Sequence, residues 1–205
     1  ELIKDYPSNI ASALLKNEID VGLVPVAIIP KMKYYELITD YCIGCDGAVA
    51  SVCLFSDVPL EEVETVLLDY QSRTSVELAR LLLRDYWKIN PELLPASVDF
   101  RQCINGTTAG VVIGDRALQQ RKQSRFVYDL GEAWKNHTGL PFVFAAWISN
   151  KQLDKEFIQS FNDANRAGVQ NISTVIEETE SDVYDMREYF TNNVSYELNA
   201  RKRQA

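Results

Sequence analysis

The amino-acid sequence predicts an α/β protein of two lobes with a ligand cleft between them. Short apolar runs of strand length alternate with segments of helical apolar spacing along most of the chain. Two extended apolar stretches, residues 48–55 and 142–148, bracket a central block that itself alternates strand and helix, as in a chain that leaves one lobe, builds a second and returns. A length of 205 residues, 46% hydrophobic and 24% charged, suffices for a sizeable core and is not the composition of a disordered or fibrous chain.

Pro7 and Ser8 precede Ile10, Ala11, Leu14 and Leu15, a helical spacing with Ser8 as the N-cap. Residues 20–26 read as a buried strand. Residues 35–43 and 48–55 are extended segments around the turn signal Asp46-Gly47, and 65–68 is a short buried strand. Asp69-Tyr70-Gln71-Ser72 leads into a helix carrying Leu78, Leu81 and Leu82, where Thr74-Ser75-Val76-Glu77 has the form of a capping box. A strand over 109–113, a helix from Asp115 and a strand over 126–128 follow. Asp129-Leu130-Gly131-Glu132 opens the next helix with a second capping box. The last strong strand is 142–148. Residues 153–205 are almost wholly helical in pattern, with Phe157, Phe161 and Ala164 on one stripe and Phe190, Val194 and Leu198 on another.

Strands separated by helices predict parallel sheets covered on both faces. The expected partition is residues 1–54 with 148–205 as one lobe and 55–147 as the other. The chain opens at Glu1-Leu2-Ile3 without an initiator Met, as if inside a strand. It closes in Tyr196 to Arg203 without a helix stop signal, as if inside a helix. Both ends read as trimmed.

Twenty-one Lys and Arg against 29 Asp and Glu leave a net charge of -8, which argues against nucleic acid as the main partner. No apolar run approaches the roughly 20 residues of a membrane span. No signal-peptide pattern opens the chain, so a soluble cytoplasmic protein without a membrane partner is expected. Cys42-x-x-Cys45 lacks the second pair that a structural zinc site needs, and the single histidine, His137, is far away in sequence. Buried reduced thiols and no metal are the expectation for Cys42, Cys45, Cys53 and Cys103.

Familiar catalytic devices are absent: there is no G-x-S-x-G, no phosphate-binding G-x-x-x-x-G-K-S/T loop and no H-E-x-x-H. His137 sits at the end of a helix, a favourable place for an imidazole. Three places remain. Ser72-Arg73-Thr74-Ser75 at a helix start offers free N–H groups and hydroxyls to a carboxylate or phosphate, although plain capping needs only one of them. Gly106-Thr107-Thr108-Ala109-Gly110 and Gly114-Asp115-Arg116 flank a strand, and glycine there also serves an ordinary turn. Gly47-Ala48-Val49-Ala50-Ser51 is small enough for a ligand to approach the backbone, or for close strand packing.

In order and spacing, five segments closely resemble the chorismate dehydratases of menaquinone biosynthesis by the futalosine route. They are Cys45-Asp46-Gly47-Ala48-Val49-Ala50-Ser51-Val52-Cys53-Leu54-Phe55-Ser56, Leu68-Asp69-Tyr70-Gln71-Ser72-Arg73-Thr74-Ser75, Ile113-Gly114-Asp115-Arg116-Ala117-Leu118, Tyr128-Asp129-Leu130-Gly131-Glu132-Ala133-Trp134 and Thr138-Gly139-Leu140-Pro141-Phe142-Val143-Phe144-Ala145. The resemblance implies a fold like the type II periplasmic binding proteins, used as an enzyme. It also implies loss of water from chorismate, a small dicarboxylate, to give 3-[(1-carboxyvinyl)oxy]benzoate with no metal or organic cofactor. Carried over residue by residue, it implies Ser51 as a substrate contact near the reacting ring. Ser72, Thr74 and Ser75 would form a carboxylate cradle, with Thr107, Gly114 and Asp115 as further cleft lining. The family's opening Leu-Asn-x-x-Pro segment has no match before Glu1. Rival readings are a transporter's solute-binding protein for a small carboxylate and the related 1,4-dihydroxy-6-naphthoate synthase.

Overall fold

The computed structural model describes residues 2–179 and 181–204. In chain order, α1 (Pro7–Leu15) and β1 (Val21–Pro25) lead through a 3-10 turn to β2 (Glu36–Cys45). The chain then crosses and lays down β3 (Val52–Ser56), β4 (Thr65–Leu68), α2 (Arg73–Leu81), β5 (Glu92–Pro95), β6 (Thr108–Ile113), α3 (Asp115–Gln120), β7 (Phe126–Asp129) and α4 (Leu130–Thr138). It returns through β8 (Phe142–Ser149) to α5 (Lys155–Gln170), α6 (Ile172–Glu178), the single turn α7 (Met186–Glu188) and β9 (Ser195–Glu197).

Two sheets result. One has the order β1-β8-β2-β9 and is antiparallel throughout; the other has the order β5-β4-β6-β3-β7. In the second, β4 is parallel to β5 and β6, whereas β3 runs antiparallel to β6 and β7. The expected parallel arrangement therefore holds only for β5-β4-β6. A strand that enters from the neighbouring sheet starts at the edge where the parallel strands finish, so β3 runs against β6. The expected partition at 54/55 and 147/148 falls inside β3 and β8, yet each of these strands pairs within one sheet. The passages between sheets are residues 46–51 and 139–141.

Each sheet has its own core. Ala11, Leu14, Val24, Ile28 and Ile148 pack α1 onto the first, and Leu54, Val66, Leu78, Val111 and Leu130 pack α2 and α4 onto the second. Every residue of β3 is buried. Cys45 and Phe144 of the first sheet's strands reach into the second core, which joins the two. No helix among the described residues is long and apolar enough to cross a membrane.

Local starts differ from expectation where proline or a longer-range partner intervenes. Pro7 takes the first position of α1 because its φ is already helical, so Tyr6 is the N-cap and Ser8 lies inside the helix. Ser72, not Thr74, caps α2, whereas Asp129 caps α4 as its motif implies. Residues 153–205 are not wholly helical. After α7 and a π-helical turn at Tyr189–Asn193, β9 pairs with the edge of β2, and residues 200–204 form turns. Residues 2–6 are irregular rather than a strand, and Glu1 lies outside the described residues. Cys42, Cys45 and Cys53 are buried thiols; Cys103, against expectation, is exposed.

Candidate active site

The carboxyl ends of β4 and β6 and the start of β3 share one end of the second sheet, the end that faces the first. Two buried aspartates organise it. Asp129 ends β7 and caps α4, accepting from Gly131 N (3.0 Å) and Glu132 N (3.1 Å). The same carboxylate accepts from Val49 N (3.0 Å) and Ala50 N (2.7 Å) of the passage between sheets. Four backbone N–H groups on one carboxylate fix a segment that has no regular structure of its own. Ala50 is held at φ 62°, a left-handed conformation that costs an alanine about 1 kcal/mol. Its carbonyl is in turn held by Arg121 at 3.2 Å. Gly131 is required by close approach: a Cβ there would lie 2.6 Å from both Cys45 Sγ and Gly47 O.

Ser51 follows directly. It is buried, its carbonyl accepts from Gly114 N (2.8 Å), and its hydroxyl shares a hydrogen bond with Tyr189 Oη (2.9 Å). Gly114, the N-cap of α3, has φ 65° and ψ -150°, a region open to glycine. Burial, reinforced by the negative charge of Asp115, pushes the Tyr189 hydroxyl above its usual range. It therefore stays protonated near neutral pH. Asn193 Nδ2 donates to Ala48 O at 3.2 Å, so the π-helical turn lies over the passage.

Asp69 closes the end of β4. It accepts from Gln71 N (2.8 Å) and Ile113 N (3.2 Å) and pairs with Arg116 at 2.8 Å, its own side chain fully buried. Arg116 also donates to Gln71 Oε1 (2.7 Å) and lies over the Tyr70 ring at 5.1 Å. The loop so held delivers Ser72, whose hydroxyl accepts from Ser75 N (3.1 Å) and donates to Ser75 Oγ (2.8 Å). Across a cavity of about 820 Å³ stand Ser12, Ala27 and Lys31, with Tyr70, Ser72, Arg73 and Arg80 on the near wall. Two bonds span this gap: Arg73 Nη2 to Ser12 Oγ (3.0 Å) and Ala27 N to Thr74 Oγ1 (3.3 Å). The volume suits a small ligand, and the walls carry Lys31, Arg73 and Arg80 against Asp69 and Glu77. With Asp69 paired to Arg116 and Glu77 to Arg80, Lys31 and Arg73 leave a local cationic excess in an acidic protein.

Ser51, Gly114 and Asp115 thus meet at one point, and Ser72, Thr74 and Ser75 at another. Thr74 and Ser75 are buried, and of the three only Ser72 lines the cavity, its hydroxyl engaged with Ser75. Thr107 joins neither group. It stands at the opposite end of β6, roughly 20 Å away for a strand of this length, and donates to Glu64. Its stretch turns the chain into β6, and only that strand's far end faces the cleft. His137 stacks near Tyr86 (5.4 Å) at the end of α4 and is not among the residues lining the cavity.

Sequence reasoning missed Arg73, Arg116 and Tyr189 as site residues. Arg73 and Arg116 were present in the quoted motifs. Tyr189 had no signal, because its partner is 138 residues away. Cys42 and Cys45 belong to different cores, and no group of three or more His, Cys, Asp and Glu side chains among the described residues is placed to hold a metal ion.

A family model described as menaquinone biosynthesis matches residues 1–205. A chorismate dehydratase of Thermus thermophilus is 29% identical over 195 residues, covering 83% of this chain and 70% of that protein. One from Campylobacter jejuni is 24% identical over 210 residues, covering 100% and 80%. Among solved structures, an ABC transporter from Parabacteroides distasonis superposes with a TM-score of 0.61 at 18% identity, over 95% of this chain and 74% of that one. A protein of Archaeoglobus fulgidus gives 0.59 at 16% identity, over 86% and 65%. These structures share the fold alone, and it is periplasmic-binding-protein-like. Matched along its whole length, the chain belongs to the menaquinone biosynthesis family.

Proposed function

We propose that this chain is a chorismate dehydratase, a cytoplasmic hydro-lyase that removes water from chorismate to give 3-[(1-carboxyvinyl)oxy]benzoate. The observation that carries the reading is the cavity between the two sheets, where Arg73 at the start of α2 faces Lys31 across the gap. Their charge is not balanced by the lining carboxylates Asp69 and Glu77, which pair with Arg116 and Arg80. A dianion entering a protein of net charge -8 needs such local attraction. The names of the two relatives point to the same substrate.

The chemistry requires a ring proton to leave with the ring hydroxyl, as water, while the ring becomes aromatic. Arg73 and the start of α2 hold one carboxylate, and Lys31 attracts the other. Held at both ends in the cleft, the substrate has its reacting geometry fixed. The resemblance to the chorismate dehydratases implies that the substrate's own carboxylate serves as the base. The resemblance implies that Ser51 contacts the ring; it and Tyr189, hydrogen-bonded to it, lie outside the residues that line the cavity. No metal or organic cofactor is required by this route.

Incubation of the full-length protein with chorismate tests the reading, with the aromatic enol ether followed by mass and ultraviolet absorbance. Product formation is expected. Tight binding of chorismate without turnover would instead make the chain a carboxylate-binding protein.

A further inference from the structure

Lys202 is a lysine on the inside of the protein. Only 3% of the residue is exposed, and its stem runs from the C-terminal turn down to β2. Its Nζ donates to the carbonyl (2.7 Å) and the hydroxyl (2.8 Å) of Ser195, at the start of β9. It also points at Cys42 Sγ, 3.7 Å away. Cys42 is itself 4% exposed, and its sulfur otherwise faces the carbonyls of Ser195 (3.9 Å) and Glu197 (3.8 Å).

The surroundings are shaped to admit the lysine. At Gly44 a Cβ would come within 3.3 Å of Lys202 Cε and 2.5 Å of Phe142 O, so glycine leaves the room that the stem occupies. The β2 register shifts between Ile43 and Gly44, next to the same spot. The nearest thiol in sequence, Cys45, packs in the other core. Oxidised Cys42 therefore has a lysine nitrogen, not a second sulfur, as its neighbour.

We propose that Cys42 and Lys202 form a covalent modification site, in which peroxide joins Sγ to Nζ through a single oxygen atom. The first peroxide molecule converts the thiol to a sulfenic acid and leaves as water, its O–O bond taking up two electrons from sulfur. Lys202 enters the second step as the amine, after giving one proton to solvent. A second peroxide molecule takes two electrons as the sulfenic O–H and one N–H break and the O–N bond forms, releasing two waters. The product is an S–O–N bridge, which two equivalents of a dithiol reduce back to thiol and amine, the bridging oxygen leaving as water. Trapping by the amine also keeps the sulfur from advancing to irreversible acids. The bridge fastens the C-terminal turn to β2. Through β9 it also steadies the turn that lays Tyr189 over Ser51.

The test is peptide mapping by mass spectrometry of the full-length protein, reduced and then treated with hydrogen peroxide. The expected result is a Cys42 peptide joined to a Lys202 peptide, heavier than their sum by one oxygen and lighter by two hydrogens, and lost on treatment with dithiothreitol. The species should vanish in Cys42→Ser and Lys202→Arg and persist in Cys45→Ser. Exposed Cys103 reports that peroxide has acted. Oxidised Cys103 with an unmodified Cys42, a Cys42 carried to sulfinic acid without a cross-link, or a bridge to another lysine would each overturn the proposal. The readout on the unaltered chain decides the matter even where a variant fails to fold.

Discussion

Two buried aspartates stand at the same end of the second sheet and solve one problem in different ways. Asp129 is satisfied by four backbone N–H groups, and no cation pairs with it among the described residues. Asp69 accepts two backbone N–H groups and balances its charge with Arg116. The first arrangement clamps the chain at its passage between sheets, in a conformation Ala50 would not adopt alone. The second holds a loop at the wall of the cavity through a side chain that itself has another contact, Tyr70. The difference teaches where the molecule is rigid and where it is built to receive: Ser51 hangs from the clamp, and Ser72 from the ion-paired loop.

The comparison breaks first at Asp129. Asp129→Ala leaves four N–H groups without their acceptor, a cost only partly offset by relief of the strain at Ala50, so a loss of about 4 kcal/mol is expected by denaturant unfolding. A loss near 1 kcal/mol would show that the passage holds itself. Arg116→Ala strands a fully buried carboxylate and should cost about 3 kcal/mol, since breaking a buried pair from one side leaves its charge uncompensated. Gly131→Ala drives a methyl group into Gly47 O and should cost about 2 kcal/mol, with the passage displaced. Ser72→Ala removes the cap of α2 and costs about 1 kcal/mol.

The covering segment adds a pH dependence of smaller size. Burial pushes the Tyr196 hydroxyl up to about 12 and raises that of Tyr189 as well. The folded state thus keeps protons that the unfolded state releases near pH 10, so stability is complete below pH 10 and falls as pH rises toward 12. Unfolding midpoints measured across that window should decline, and less steeply in Tyr196→Phe. An equal slope in that variant would place the dependence elsewhere.

Much of this was legible in the residues. The alternation of apolar runs located seven of the nine described strands, because each has buried residues; β5 (Glu92–Pro95), which is largely exposed, and β9 were not located. Asp129 was readable as a cap because its partners at 131 and 132 are adjacent in sequence; its grip on Val49 and Ala50 was not, since nothing local encodes a partner 79 residues away. The strand Ser195–Glu197 escaped notice because three residues take their conformation from the edge they pair with, not from their own propensity. Thr107 was placed in the site because glycines and hydroxyls look alike at both ends of a strand, and only topology says which end meets the cleft. Tyr189 is hidden for the same reason as β9: residues 153–205 read as almost wholly helical, and nothing local marks the turn that returns to the passage.

The division of labour between the two aspartate-held regions is tested most directly by steady-state kinetics on chorismate for the full-length protein, Ser51→Ala and Ser72→Ala. The unaltered protein should form the aromatic enol ether. Ser51→Ala should lower kcat about tenfold or more with KM little changed, and Ser72→Ala should raise KM with kcat nearly kept. Absence of product from the unaltered protein, or the same response from both variants, would contradict the account.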